Sequence, residues 1–224
     1  TLRLLESPRA RKAIRNFFAD LYNLFRLDHL AKDPTLFPHM HPDVGPEARE
    51  ETLSMIEDLV FDEKADYREL LRTRKTFLNR RLASIYNVPA PSLEGFGEFM
   101  WPEESPRHGL LSHISVLANY SHQVASSATL RGVFVRKVLL CGLILPPPAD
   151  VDASFPEPSG EAPTLRDRVA EHLTNPVCNS CHKETDPIGL GLENFDALGR
   201  FRTQDFGSPI DPSGELDGRY FADA

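Results

Sequence analysis

Residues 7–25 read Ser7-Pro8-Arg9-Ala10-Arg11-Lys12-Ala13-Ile14-Arg15-Asn16-Phe17-Phe18-Ala19-Asp20-Leu21-Tyr22-Asn23-Leu24-Phe25, and this stretch decides the fold class. Ser7 is a helix-capping residue, and Pro8 suits the first helical position, where a missing N–H costs nothing. Behind them Ile14, Phe17, Phe18, Leu21, Leu24 and Phe25 recur at helical spacing, which predicts one amphipathic helix. The period continues outward. Pro34, Pro38, Pro42, Gly45 and Pro46 interrupt it within residues 31–46, and Leu53, Ile56, Leu59 and Val60 resume it over residues 47–61. Further helical segments are expected at 67–72, 79–86, 109–120 and 129–145, with a Pro- and Gly-rich loop at 88–107. Pro146-Pro147-Pro148 stops the last of them, and Pro156, Pro158, Gly160 and Pro163 predict an extended connection. Thr164 then caps a short helix carrying Leu165, Val169 and Leu173 on one face, which Asn175-Pro176 ends. From Asp205 onward Gly207, Pro209, Pro212, Gly214 and Gly218 mark loops or short hairpins. The expected architecture is mainly α: a helical domain at 1–88, a second at 89–148, a Pro-rich linker at 149–163 and a small C-terminal segment at 164–224.

With 224 residues and 41% hydrophobic content the chain can bury a substantial core. Its 33 acids against 25 Lys and Arg, a formal charge of −8, argue against general nucleic-acid binding, which favours a basic face. The charge is unevenly spread. Residues 47–69 are strongly acidic, while Arg72, Arg74, Lys75, Arg80 and Arg81 form a basic cluster with no intervening acid. Solvated helix faces are the ordinary reading of both, and docking of a charged redox partner is the sharper one. The longest apolar patch, 133–145, contains Arg136 and Lys137, so no membrane-spanning segment is expected. The chain opens at Thr1 without a leader, as expected of a mature product or a piece of a longer protein.

The chemistry concentrates at Cys178-Asn179-Ser180-Cys181-His182, a C-x-x-C-H run, the attachment signature of c-type haem. Two thiols can form thioethers to the vinyl groups, and the adjacent imidazole can ligate the iron. Two alternatives use the same residues: zinc held by Cys178, Cys181, His172 and His182, or a disulfide between the cysteines. No second C-x-x-C and no βαβ pattern accompanies them. The third cysteine, Cys141, follows Val138-Leu139-Leu140 and is expected to be a buried small hydrophobe.

The stretches Thr164-Leu165-Arg166-Asp167-Arg168, Cys178 to His182, Asp186-Pro187-Ile188-Gly189, Leu192-Glu193-Asn194-Phe195-Asp196, Gly199-Arg200 and Ile210 to Leu216 resemble planctomycete-type cytochrome c-like secreted proteins. Upstream, Gly109 to His113, Arg131-Gly132 and Leu145 to Pro148 resemble the domain that precedes the haem motif there, and residues 10–88 the helical domain before that. The resemblance implies a cytochrome c-like C-terminal segment with one covalent haem c in an exported, periplasmic or extracellular protein, and names no substrate. Relatives of this type commonly carry methionine where this chain has Thr185, read as a packing residue, and continue beyond the position of Ala224.

On the iron, His182 is the expected proximal ligand. No methionine or histidine follows it, so a distal ligand must come from upstream. His113 and His122 are the first candidates, since the resemblance suggests a histidine at one place or the other, and Met100 is a weaker one. Met55 lies on an apolar helical pattern and is expected in the core. Arg131, Arg200 and Arg202 are candidate partners of the haem propionates, because a guanidinium holds a carboxylate through two parallel bonds. Asp186 is expected to bond nearby backbone in a turn. The leading function is electron transfer outside the cytoplasm, with a redox protein or a partner domain of a longer chain as partner. The alternatives are a haem-dependent, peroxidase-like oxidoreductase or an electron-delivery module of a larger extracellular enzyme, and a structural module stapled by haem or zinc. No Gly-x-Ser-x-Gly, Walker loop or His-Glu-x-x-His competes.

Overall fold

A computed structural model describes residue 3, residues 6–145, 159–174 and 176–223, the side chains of 171–173 and 177 excepted. The fold is mainly α, with short antiparallel strand pairs. The chain divides into two compact units, residues 1–119 with 198–200, and residues 120–197 with 201–224. These units cut the expected second domain in two: residues 89–119 pack with the N-terminal helices and 120–145 with the C-terminal ones. Most of the expected linker, 149–158, lies outside the described residues, as do 146–148 at the end of the expected second domain.

In the first unit, α1 (Pro8–Leu21) starts as expected, with Ser7 Oγ accepting from the Arg9 N–H. It ends earlier than the apolar period suggests. Asn23 takes a left-handed conformation (φ 54°), and a 3-10 turn, Leu24–His29, follows, so Leu24 is buried but Phe25 is exposed. Helix α2 (Val44–Glu57) begins before Glu47 because Pro46 falls in its first turn, whose N–H groups need no partner in the helix. A π-helical turn, Asp58–Asp62, extends it. After a 3-10 helix at Tyr67–Leu71, β1 (Lys75–Leu78) pairs with β2 (Gly97–Met100), Lys75 opposite Met100. The strand β2 lies in what reads as a loop. Between them α3 (Arg80–Tyr86) is capped by Asn79, whose Oδ1 accepts from the Leu82 N–H. A 3-10 turn at Leu110–Ser112 and the short α4 (Ile114–Leu117) complete the unit.

Two members of the basic cluster pair with acids of the same unit. Lys75 Nζ lies 2.7 Å from Asp58 and 3.0 Å from Glu63, and Arg81 donates to Glu47 at 2.9 Å and to Asp43 at 3.1 Å. Arg74 and Lys75 enter β1 and its approach, so the cluster is not a helix face throughout.

The core of this unit holds apolar side chains such as Leu24, Leu27, Ile56, Leu82 and Met55, the last as expected, and one polar network. Glu51 is fully buried and accepts from Tyr86 Oη (2.7 Å) and Thr76 Oγ1 (2.9 Å). Burial pushes its carboxyl up to about 7 against the lowering effect of those bonds. His113, 3.8 Å from Glu51, is drawn down to about 3 by burial and by the Arg107 charge. Glu51 contributes stability that is complete below the ~4.3 of an unfolded Glu and is lost as pH rises through about 7. His113 contributes stability that is complete above the ~6.5 of an unfolded His and is lost as pH falls towards about 3. Between ~4.5 and ~6.5 the two slopes cancel, because folded and unfolded states then bind equal numbers of protons at this pair. His113→Gln removes one slope. Its unfolding free energy relative to the parent should fall by ~1.4 kcal/mol per pH unit over that window. Urea unfolding of both proteins at several pH values measures this, and parallel curves refute it.

In the second unit, α5 (Ala128–Val133) is capped by Ser127 and runs into a π-helical turn, Phe134–Leu139. The expected helix to residue 145 stops there. Cys141 takes φ 55° just past the end and is exposed, so it is not the buried hydrophobe its neighbours suggest. Its turn is closed by a Gly142 N–H bond to the Arg136 carbonyl, 2.7 Å. Helices α6 (Leu165–Thr174), α7 (Pro176–His182) and α8 (Asp186–Leu190) follow, and Ala128, Leu165, Val169 and Leu190 form a buried cluster. The chain ends in two hairpins, β3 (Gln204–Asp205) with β4 (Ser208–Pro209) and β5 (Gly214–Leu216) with β6 (Arg219–Phe221). Both turn through two residues of positive φ, Phe206-Gly207 and Asp217-Gly218, the geometry that right-twisted strands prefer.

Candidate functional site

Helix α7 is seven residues long and holds Cys178, Cys181 and His182 together. Pro176 occupies its first position, where no N–H is required. Cys178 and Cys181, three residues apart in a helix, are neighbours on one face, and His182 follows Cys178 by four. Both thiols are free and half-buried.

The imidazole of His182 is held from behind. Its Nδ1 lies 2.9 Å from Asp186 Oδ2, and Asp186 is fully buried. An ionised carboxylate only accepts, so Nδ1 carries the proton and Nε2 is the nitrogen left for a metal. This bond is the largest cause raising the imidazole pKa above its ordinary value. The other oxygen of Asp186 accepts from Thr129 Oγ1 (2.8 Å) and from Thr185 Oγ1 (3.2 Å). Two glycines permit this arrangement: a Cβ at Gly132 would overlap the Thr185 carbonyl, and one at Gly189 the Ala128 carbonyl. Helices α5 and α8 therefore meet backbone to backbone, with Thr129 beside Asp186. Asp186 bonds side chains, not the turn backbone expected of it. The i, i+4 spacing of His182 and Asp186 was the available signal for the pair; Thr129, more than fifty positions away, left none.

The arginines are otherwise engaged. Arg131 is fully buried and donates to the carbonyls of Leu192 (2.8 Å), Phe195 (2.8 Å) and Asp196 (2.7 Å) and to Ser121 Oγ (3.1 Å). Burial draws its pKa down to about 10, which leaves it charged at neutral pH. Arg202 donates to Asp205 (2.6 Å), Glu193 (3.0 Å) and Ser126 (3.1 Å). Both hold the 191–205 segment together, so neither stands open for a propionate as expected. Arg200 is half-buried in the 198–200 segment of the first unit.

Of the distal candidates, His113 is 2% exposed, with Nδ1 2.9 Å from Thr52 Oγ1 and Nε2 3.4 Å from Thr76 Oγ1. A ligand role would have to break that network, so His113 has the surroundings of a core histidine. His122 is exposed in the second unit, and Met100 is exposed at the end of β2 in the first. For the zinc alternative, the His172 side chain lies outside the described residues; among the described residues no three His, Cys, Asp or Glu side chains gather as a metal site.

The donor set fits a c-type haem. Two accessible thiols share a helical face, and the adjacent histidine has its far nitrogen anchored to a carboxylate, as metal-ligating histidines commonly do.

Two planctomycete cytochrome-like domain families match this chain. Residues 1–88 match PSD4, a protein of unknown function (DUF1592), and residues 107–205, which include α7, match PSCyt3, a protein of unknown function (DUF1588). No curated protein and no solved structure matches the chain.

Proposed function

We propose that the chain is a single-haem c-type cytochrome acting in electron transfer outside the cytoplasm. The observation that carries this reading is the C-x-x-C-H run on one helix with His182 Nδ1 bonded to a buried carboxylate. When bound, the haem would supply a centre that accepts and releases one electron. Cys178 and Cys181 would hold it through thioethers, and His182 would present Nε2 to the iron. Asp186 keeps the proton on Nδ1, and the Thr129 and Thr185 hydroxyls keep Asp186 in place. Thioether attachment takes place outside the cytoplasm in bacteria, which sets the compartment. Among the described residues no helix is long and apolar enough to cross a membrane.

The test is an intact mass under denaturing conditions, on protein exported in a host with haem-attachment machinery. An increment of one haem is expected. A mass equal to the bare chain overturns the reading.

A further inference from the structure

Asp186 is a fully buried carboxylate, and His182, Thr129 and Thr185, to which it is hydrogen-bonded, lie in the second unit. A carboxylate in such a place is costly to desolvate unless its oxygens are satisfied. Here one oxygen faces His182 Nδ1 and the other faces two hydroxyls. The backbone contacts at Gly132 and Gly189 hold α5 against α8, so Thr129 stays beside Asp186. Carboxylate and imidazole are thus fixed in one geometry before any cofactor arrives.

We infer that Asp186 is a positioning residue that sets the electron richness of the His182 ligand and so holds the reduction potential of the attached haem low; this rests on the cytochrome reading above. A carboxylate accepting the Nδ1–H bond pushes charge into the ring, and a more basic imidazole favours the ferric over the ferrous state. Reduction adds one electron from an electrode or redox partner; no bond forms or breaks, and the Nδ1 proton stays on His182. Thr129 works in the opposite sense, because its hydroxyl donates to the far oxygen of Asp186 at 2.8 Å and draws charge there, whereas its contact with His182 Nδ1, at 3.4 Å, is the longer and weaker one.

Two substitutions in the intact chain test this by potentiometry at one fixed pH, each with its denatured mass recorded. Asp186→Asn keeps the shape and removes the charge, and should shift the midpoint potential upward with the haem mass retained. Thr129→Val removes the donor while leaving the Asp186 carboxyl group itself in place, and should shift the midpoint downward, whereas Thr129→Ser should restore the parent value. A purely structural role would give no such pair of opposite signs. Parent-like potentials in Asp186→Asn and Thr129→Val, with haem mass present, overturn the inference alone. If Asp186→Asn does not fold, the Thr129 pair decides, and equal potentials for Val and Ser overturn it. A parent without haem mass overturns the cytochrome reading and this inference with it.

Discussion

Cys178→Ala combined with Cys181→Ala should yield an exported protein whose denatured mass shows no haem at all, against one full increment in the parent. The thiols are the tethers of the proposed attachment, and His182 alone can hold iron only through a coordinate bond that denaturant releases. Each single variant keeps one tether and should retain haem on part of the molecules. The double variant should also unfold more easily than the haem-loaded parent, since a group bound only by the folded state stabilises it. Both thiols lie at the surface of α7, half-buried, and the glycine-mediated contact behind it does not involve them. The bare fold should therefore tolerate alanine at both positions. Haem mass persisting on the denatured double variant sinks the thioether assignment.

Arg131→Met should be the most destabilising single change in the second unit, by about 4 kcal/mol. Methionine fills much of the volume but donates nothing. The carbonyls of Leu192, Phe195 and Asp196 lose their bonds to this buried side chain, and Glu193, 3.6 Å away, keeps Arg202 as its cationic partner among the described residues. Against the ~5–15 kcal/mol that separates folded from unfolded domains, this is a large fraction. The melting temperature should fall by roughly 20 °C for a unit of this size. Arg131→Lys should recover little, because one ammonium group cannot span three carbonyls on a fixed fork. By contrast Arg68→Met breaks an ion pair with Asp66 that is exposed on both sides and screened by solvent, and should leave stability close to that of the parent. Amide hydrogen exchange resolved by unit measures all three variants, and equal protection of the second unit in Arg131→Met and Arg68→Met refutes the ranking.

Local signals carried most of the helical architecture. The Ser7-Pro8 start, the helix near residues 79–86, the short helix after Thr164 and the hairpins around Gly207 and Gly218 each depend on residues within a few positions of one another. Their conformations follow from capping, proline geometry and positive φ, all readable in a window of a few residues. The end of α1 at Leu21 did not follow from the apolar period, because Asn23 adopts a left-handed conformation that the spacing of Leu24 and Phe25 does not announce. The strand β2 was hidden for a related reason: four residues, Gly97–Met100, become a strand only because Lys75–Leu78 pairs with them.

At the candidate site, the sequence by itself determined the C-x-x-C-H run and the four-residue spacing of His182 and Asp186, but not their bond, since a turn separates the two helices that carry them. Only the tertiary structure decided what surrounds them. It turned Arg131 and Arg202 inward onto backbone carbonyls and carboxylates, placed His113 in a buried network with Glu51, and left Cys141 exposed at a helix end. It also brought Thr129 against Asp186 through the close approach that Gly132 and Gly189 allow. An arginine or histidine looks the same in sequence whether it awaits a ligand or satisfies a buried group. The difference lies in which partners packing brings within about 3 Å, and those partners come from distant parts of the chain.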